Sequence, residues 1–390
     1  MYILSENKSL KKLSQILGFE NVQTDANIER IIFDSKIARE GDLFIPLKGN
    51  NYDAEVFVEE VLQKGAAVIT KQKIFGTTII VDDVYNSLLD LCANKLFESK
   101  AKVIFITGSY GKTTLKDMLK SLLGDKCHAS KDNENNEFGI PFTILSMPKN
   151  TDYLVVECGA RNVGDFDLIS KKLSCDIFIL TAIAANHLST FKNIENISKT
   201  KLKLKECLKN KDNFVDGREF ENKNILEKNK EIIRRILNLL SIDKDPKNFT
   251  FTPSAGRGNI IKFHGSEIID QTYNAHPDTV IATAMEEDSS NTVLVLGDMA
   301  ELGEDENKKH EKLLSQLADF QIFVTGKIFK EVIKKIPGKN INFFENKEDF
   351  PKNYLIKQLK AGKKVYFKGS RSSKMAVSYT HLRAHETTPH

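Results

Sequence analysis

The chain is 390 residues long, more than one ordinary core accommodates, so two or three domains are expected. Its 41% hydrophobic and 28% charged residues fit a globular protein in water, and a net charge of only +4, with lysines scattered among acids, gives no support to a nucleic-acid or membrane-surface role. No apolar run approaches the roughly 20 residues that span a bilayer, and five cysteines without metal-ligand spacing read as reduced structural thiols of a cytoplasmic protein.

Over residues 1–99 short apolar runs alternate with helical patterns, which reads as a small α/β domain. Strands are expected at 30–33, 42–47, 66–70 and 78–81, and helices at 54–64 and 86–98. A second domain, residues 100–255, opens on Val103-Ile104-Phe105-Ile106, a buried strand, followed by a helix over 115–123. Strands at 153–156 and 177–180 are nearly continuous apolar runs, as strands covered on both faces should be. A lysine-rich helix over 195–209, a polar surface excursion over 210–230 and a helix over 229–240 follow. A third domain, residues 256–377, shows strands at 260–263, 267–270, 292–296, 321–324 and 364–367 with helices between them. Residues 378–390 hold three of the eight histidines without apolar periodicity; a metal-binding tail is one reading, a disordered or non-native end the favoured one. The expected fold class is α/β in three domains, a central doubly wound phosphate-loop sheet flanked by a small N-terminal α/β domain and a C-terminal Rossmann-like one.

The stretch after the strand at 103–106 carries the clearest chemistry. Thr107-Gly108-Ser109-Tyr110-Gly111-Lys112-Thr113-Thr114 is a glycine-rich turn from strand into helix, which aims backbone N–H groups and the positive helix end at an anion. Lys112 adds a mobile positive charge for phosphate oxygens, and the Thr113 hydroxyl is placed to ligate Mg²⁺. The general phosphate-loop pattern wants a glycine six residues before Lys112, where Ile106 stands, so the loop is read as a shortened form. Glu157 and Asn186-His187 each follow a core strand, where ligands of a doubly wound sheet bind. A solvated strand-end acid and a structural histidine are the plainer alternatives.

Further segments recur in a fixed order. Asp34-Ser35-Lys36, Gly41-Asp42-Leu43-Phe44 and Leu47-Lys48-Gly49 come before the loop. Asn135-Asn136 with Gly139-Ile140-Pro141 comes after it. Tyr273-Asn274-Ala275-His276-Pro277-Asp278, Leu296-Gly297-Asp298-Met299-Ala300-Glu301-Leu302-Gly303 and Lys368-Gly369-Ser370-Arg371 close the series. In this order they resemble the Mur ligase family, the ATP-dependent amide-bond ligases of peptidoglycan precursor synthesis, and within it the branch that adds D-alanyl-D-alanine to UDP-N-acetylmuramoyl-tripeptide.

That resemblance implies ATP and Mg²⁺ as cofactors, the UDP-linked tripeptide and D-alanyl-D-alanine as substrates, and a monomer in the cytoplasm. It implies that Gly108, Ser109, Tyr110, Gly111, Lys112, Thr113, Thr114, Asn136, Arg257, Asn274 and His276 contact the nucleotide. Thr113, Glu157 and His187 would hold metal, and Lys112, His187 and Lys201 would serve the reaction, Lys201 as a carbamate formed with CO₂. Ser35 and Lys48 would contact the UDP-sugar; Lys368, Ser370 and Arg371 would bind the dipeptide carboxylate, for which a guanidinium fork is suited. Asp298 and Glu301 would organise the closed site. Carbamylation needs a neutral amine, and Lys199, Lys203 and Lys205 are placed to depress the Lys201 pKa by like-charge repulsion if Lys201 is partly buried. The chain departs from the family pattern at Lys203, where an acid is expected, at Glu55, where Gly-His is usual, and at His276, where asparagine is commoner. The central domain is also shortened between Lys201 and Arg257. Two other readings stay open at this point: a related ligase with another acceptor, and a degenerate nucleotide-binding protein without ligase activity.

Overall fold

The computed structural model describes residues 2–378 except 21, 23, 50, 51, 132, 133, 221–224, 247–252, 254, 255, 264, 274, 301 and 337–339. The expected tail over 378–390 therefore lies almost wholly outside the described residues. The chain gathers into two compact units, one of Met1–Ala182, Ser198–Glu219 and Ile232–Lys244, the other of Ile183–Ile197, Phe220–Glu231 and Asp245–His390.

The first unit holds two sheets. Its N-terminal part runs β1 (Tyr2–Ser9), α1 (Leu10–Ile16), β2 (Asn27–Ile32), β3 (Asp42–Phe44), β4 (Lys48–Gly49), β5 (Tyr52–Asp53), α2 (Val58–Gln63), β6 (Ala67–Thr70), β7 (Thr78–Ile80) and α3 (Val84–Glu98). The sheet order is β1-β2-β3-β6-β7, with β1 antiparallel to its neighbour and the rest parallel, while β4 and β5 form a separate two-stranded ribbon. Arg30 of β2 and Asp42 of β3 meet as a buried two-pronged pair, both contacts 2.5 Å, which ties the parallel strands side chain to side chain. The apolar run expected to be one strand over 42–47 stops at Phe44, and Ile45 to Leu47 continue as buried, irregular chain.

The central sheet follows. Its elements are β8 (Lys102–Thr107), α4 (Lys112–Leu123), β9 (Cys127–Ala129), α5 (Gly139–Leu145), β10 (Tyr153–Glu157), α6 (Asp167–Lys172) and β11 (Ile177–Leu180). After α7 (Leu188–Phe191) and α8 (Ile194–Leu202) come β12 (Phe214–Asp216) and α9 (Ile225–Leu239). All strand pairs are parallel in the order β12-β11-β8-β10-β9, so β8 lies between strands reached by separate crossovers. That is a topological switch point, the place where open α/β sheets leave a crevice for ligand. Two expectations are corrected here. The polar stretch 210–230 is not only a surface excursion, because Phe214–Asp216 pairs with β11 and completes the sheet; polar flanks hid a strand of three residues. The helix expected over 195–209 ends at Leu202 and tightens into a 3₁₀ turn over Lys203–Cys207.

In the second unit one sheet dominates. It is built from β13 (Asn259–Phe263), β14 (Ser266–Gln271), α10 (Pro277–Ala284), β15 (Thr292–Gly297), α11 (Glu306–Gln316), β16 (Gln321–Thr325), α12 (Lys327–Val332), β17 (Ile341–Phe344), α13 (Lys352–Lys360) and β18 (Lys364–Lys368). The order is β13-β14-β18-β15-β16-β17, with only β13–β14 antiparallel. Alternate residues of β15 bury into opposite layers: Leu294 and Leu296 pack with Phe329 and Leu313, Val293 and Val295 with Phe367 and Leu355. Both faces are covered, which is why the strand reads as an unbroken apolar run.

Candidate active site

The glycine-rich turn after β8, expected to bind phosphate, is fixed by its neighbours on the sheet. Gly108 has φ +151 and a Cβ there would collide with Thr181 Oγ1 and crowd the Ala182 backbone, so only glycine lets the chain leave β8 this close to the end of β11. Two bonds hold the turn from that side: the Ser109 amide donates to the Ala182 carbonyl at 2.9 Å and the Thr181 hydroxyl to the Tyr110 carbonyl at 2.5 Å. Gly111, at φ +82, is the N-cap of α4 and brings no side chain to cap it. The first turn of this twelve-residue helix thus carries its partial positive charge with no N-cap side chain over it. Lys112 Nζ folds back onto the Gly108 carbonyl at 2.8 Å.

Glu157 ends β10 beside β8, and the parallel register sets it opposite Ile106. Its side chain is 1% exposed, with Oε2 accepting the Thr113 hydroxyl at 2.7 Å and Oε1 the Asn135 side-chain amide at 2.8 Å. Both partners are neutral donors, which satisfy the oxygens without cancelling the buried charge. Thr113 and Glu157 are hard oxygen donors within one coordination sphere of each other, and that donor set fits Mg²⁺, which takes one or two protein oxygens alongside phosphate oxygens and water. Among the described residues no group of three or more His, Cys, Asp or Glu side chains could hold a metal alone.

Asn136, expected at the nucleotide, accepts the Gly139 amide on its Oδ1 at 2.9 Å at the start of α5, while its neighbour Asn135 donates to the Glu157 carboxylate. The doublet showed that an asparagine belongs here but not which one faces the site. Thr181 was also missed; its only sequence signal is its place at the end of an apolar strand.

Lys201 is buried to 1% exposure at the end of α8, and its pKa falls from 10.5 to about 7. The cause is burial first and the positive charge of Lys112 second, with Asp165 pulling the other way. The expectation of repulsion from Lys199, Lys203 and Lys205 is corrected by this. Lys199 is exposed, Lys203 pairs with Glu206 at 2.8 Å, and Lys205 lies over the Phe214 ring at 3.7 Å.

Within the second unit, His187 has φ 49 and is the N-cap residue of α7. His276 is the N-cap residue of α10, and its Nε2 lies 3.2 Å from the Ala185 carbonyl, which also accepts Lys309 Nζ at 3.1 Å. Burial lowers the His276 pKa. Arg257 stacks on the Tyr273 ring at 3.7 Å. Asp298 follows β15, and its oxygens take the Ile328 and Phe329 amides at 3.0 and 3.1 Å at the start of α12. Lys368 and Ser370 are each 2% exposed. Lys368 Nζ donates to the Thr283 hydroxyl and its pKa falls to about 7 through burial; Ser370 Oγ donates to the Asp298 carbonyl at 2.6 Å. These two brace the end of β18 rather than standing as surface groups. Asn274 and Glu301 lie outside the described residues, as does the side chain of Arg371.

In the N-terminal sheet Ser35 is buried in a 3₁₀ turn, its carbonyl taking Lys64 Nζ at 3.0 Å. Lys48 is exposed and pairs with Asp53 at 2.8 Å. Glu55, the departure noted in the sequence, binds the Thr70 hydroxyl at 2.9 Å and Gln72 Nε2 at 3.2 Å, and so ties the turn before α2 to the end of β6.

Residues 106–273 match the family described as Mur ligase middle domain, and residues 256–371 that described as Mur ligase, glutamate ligase domain. A UDP-N-acetylmuramoyl-tripeptide–D-alanyl-D-alanine ligase of Buchnera aphidicola is 28% identical over 94% of this chain and 96% of its own length. The Bacillus subtilis protein of the same name is 27% identical over 89% and 92%. Among solved structures, MurF of Acinetobacter baumannii superposes with a TM-score of 0.82 at 24% identity, covering 97% of this chain and 99% of that one. MurF ligase of Thermotoga maritima in complex with ADP gives 0.78 at 25% identity, covering 91% and 97%.

Proposed function

The chain belongs to the Mur ligase family, and we propose that it joins D-alanyl-D-alanine to UDP-N-acetylmuramoyl-tripeptide in an ATP-dependent reaction. The observation that carries this reading is the Thr113–Glu157 pair at 2.7 Å beside the open N-terminus of α4. It supports the reading because a hydroxyl and a carboxylate lie beside the helix start and Lys112, the groups that a magnesium-bound triphosphate would use.

The tripeptide carboxylate attacks the γ-phosphorus, the bond to the β-phosphate oxygen breaks, and ADP leaves with its electron pair. The amine of the dipeptide then attacks the acyl carbon, the carbon–oxygen bond to phosphate breaks, and a proton is lost from nitrogen. Two anions must approach in the first step. The α4 amides and Lys112 neutralise the triphosphate side, and Lys112 can leave the Gly108 carbonyl to do so. Mg²⁺, held by Thr113 and Glu157, would supply Lewis-acid withdrawal of charge from the phosphoryl oxygens. His187 is assigned to a further metal, Arg257, Asn274 and His276 to the nucleotide, Ser35 and Lys48 to the UDP-sugar, and Arg371 with the end of β18 to the dipeptide.

Lys201 carries the carbamate on this reading. A neutral amine adds to CO₂, forms the N–C bond and releases one proton, leaving a carboxylate-like anion. With its pKa lowered to about 7, Lys201 is neutral far more often near neutral pH than an ordinary lysine, which is almost wholly protonated there. The five buried free thiols suit the cytoplasm.

The test is ADP release and amide product mass with ATP, UDP-N-acetylmuramoyl-tripeptide and D-alanyl-D-alanine. Release that requires all three, and that disappears in Lys112→Ala, is expected. A purified protein that makes no amide, or a Lys112→Ala variant with unchanged turnover, refutes the reading.

A further inference from the structure

Lys116 lies one turn into α4, four residues after Lys112, and is 3% exposed. A lysine is expensive to bury unless its donors are used. Here Nζ donates to the Ser130 carbonyl at 2.9 Å and pairs with Asp117 Oδ1 at 3.0 Å. Ser130, itself 3% exposed, is committed on every polar atom. Its amide donates to the Val155 carbonyl at 3.0 Å, and its hydroxyl oxygen accepts the Glu157 amide at 2.9 Å and the Thr143 hydroxyl at 3.1 Å. Five residues later the same segment delivers Asn135 to Glu157 Oε1 at 2.8 Å.

We propose that Lys116 is a positioning residue for the cation site: by fixing Ser130 it sets both the backbone of Glu157 and the Asn135 amide that orients its carboxylate. The inference rests on the assignment of Glu157 as a cation ligand. Lys116 in α4 and Glu157 in β10 are separated in sequence by β9 and α5, yet one serine joins them. Partners that orient metal ligands typically change metal affinity 10–100-fold when removed.

The experiment is calorimetric titration of ATP into the full chain, once with Mg²⁺ and once with EDTA, for wild type, Lys116→Met and Ser130→Ala. Mg²⁺ should strengthen ATP binding in the wild type. In both variants that enhancement should drop about tenfold, while metal-free ATP affinity stays within about twofold. A lysine that only stabilises the fold would lower the melting temperature and leave the Mg²⁺ enhancement intact, and that result overturns the proposal. Should Lys116→Met fail to fold, Lys116→Gln, uncharged and shorter, decides in its place, because Ser130→Ala keeps the carbonyl that Lys116 holds and tests only the hydroxyl contact to the Glu157 amide. A wild type that binds ATP with no Mg²⁺ enhancement overturns the proposal by a separate route, through the cation assignment itself; full enhancement in folded variants leaves that assignment standing and removes Lys116 alone.

Discussion

Replacing Lys201 with methionine should stabilise the protein and stop the reaction, and the stabilisation should depend on pH. In the folded chain the amine is 1% exposed with a pKa of about 7; in the unfolded chain it returns to 10.5. Between those values the unfolded state holds a proton that the folded state has lost, so stability rises with pH across that window. At about 1.36 kcal/mol per pKa unit, the burden is at most about 5 kcal/mol at or below pH 7 and only about 1 kcal/mol at pH 9.5. Methionine fills a similar volume and does not titrate. Lys201→Met should therefore exceed wild type by about 2–4 kcal/mol at pH 7, allowing for relaxation around the amine, and by much less at pH 9.5. Urea titrations of both proteins at the two pH values, in buffer stripped of CO₂, measure the difference. An advantage that is absent, or equal at pH 7 and 9.5, refutes the claim that burial keeps Lys201 neutral.

Thr113→Val keeps the side-chain shape but removes one oxygen of the pair with Glu157, so the Mg²⁺ needed for half-maximal rate should rise about tenfold and turnover fall about 100-fold; an unchanged Mg²⁺ profile contradicts the assignment. Gly108→Ala forces a Cβ against Thr181 Oγ1 and should weaken ATP binding at least about tenfold, whereas Gly124→Ala, with φ +79 but open space around it, should cost only stability. Equal ATP affinity in the two alanine variants would show that the close approach at Gly108 is unimportant. All five cysteines are buried, and burial pushes the thiol pKa up, at Cys127 to about 12. An aromatic disulfide reagent should find no fast-reacting thiol in the native protein and five after denaturation, and a thiol titrating within seconds contradicts this.

Much of this architecture is written in local sequence. Unbroken apolar runs gave β8, β10, β11, β15, β16 and β18 because strands covered on both faces need no alternation. The glycines and Lys112-Thr113 marked the phosphate turn because few other backbones can leave a strand and enter a helix in four residues. What stayed hidden is mostly edge and context. β9 and β12, three residues each at the two edges of the central sheet, bury too little to leave a pattern. The choice between Asn135 and Asn136 depends on a turn geometry that both residues permit. The neutral state of Lys201 was expected from flanking lysines, yet it comes from burial and from Lys112, 89 residues away in sequence.

Strand order explains why these residues meet. β8 lies between β10 and β11, so the phosphate turn, Glu157 and Thr181 leave three adjacent strand ends although they span residues 108–181. Adjacency also couples the charges. Lys112 disfavours a proton on Lys201, and by reciprocity a protonated Lys201 would disfavour the Lys112 cation. A triphosphate arriving at Lys112 adds negative charge and pulls in the opposite direction, toward a protonated Lys201. On the mechanism proposed above, CO₂ then adds most readily to Lys201 before nucleotide binds, when the amine is most often neutral. Once formed, the carbamate replaces a group that can be positive with one that is negative, so its interaction with the Lys112 cation changes from repulsion to attraction. The order of events follows from the sign of two charges next to one amine, and it requires no motion of the sheet that holds them.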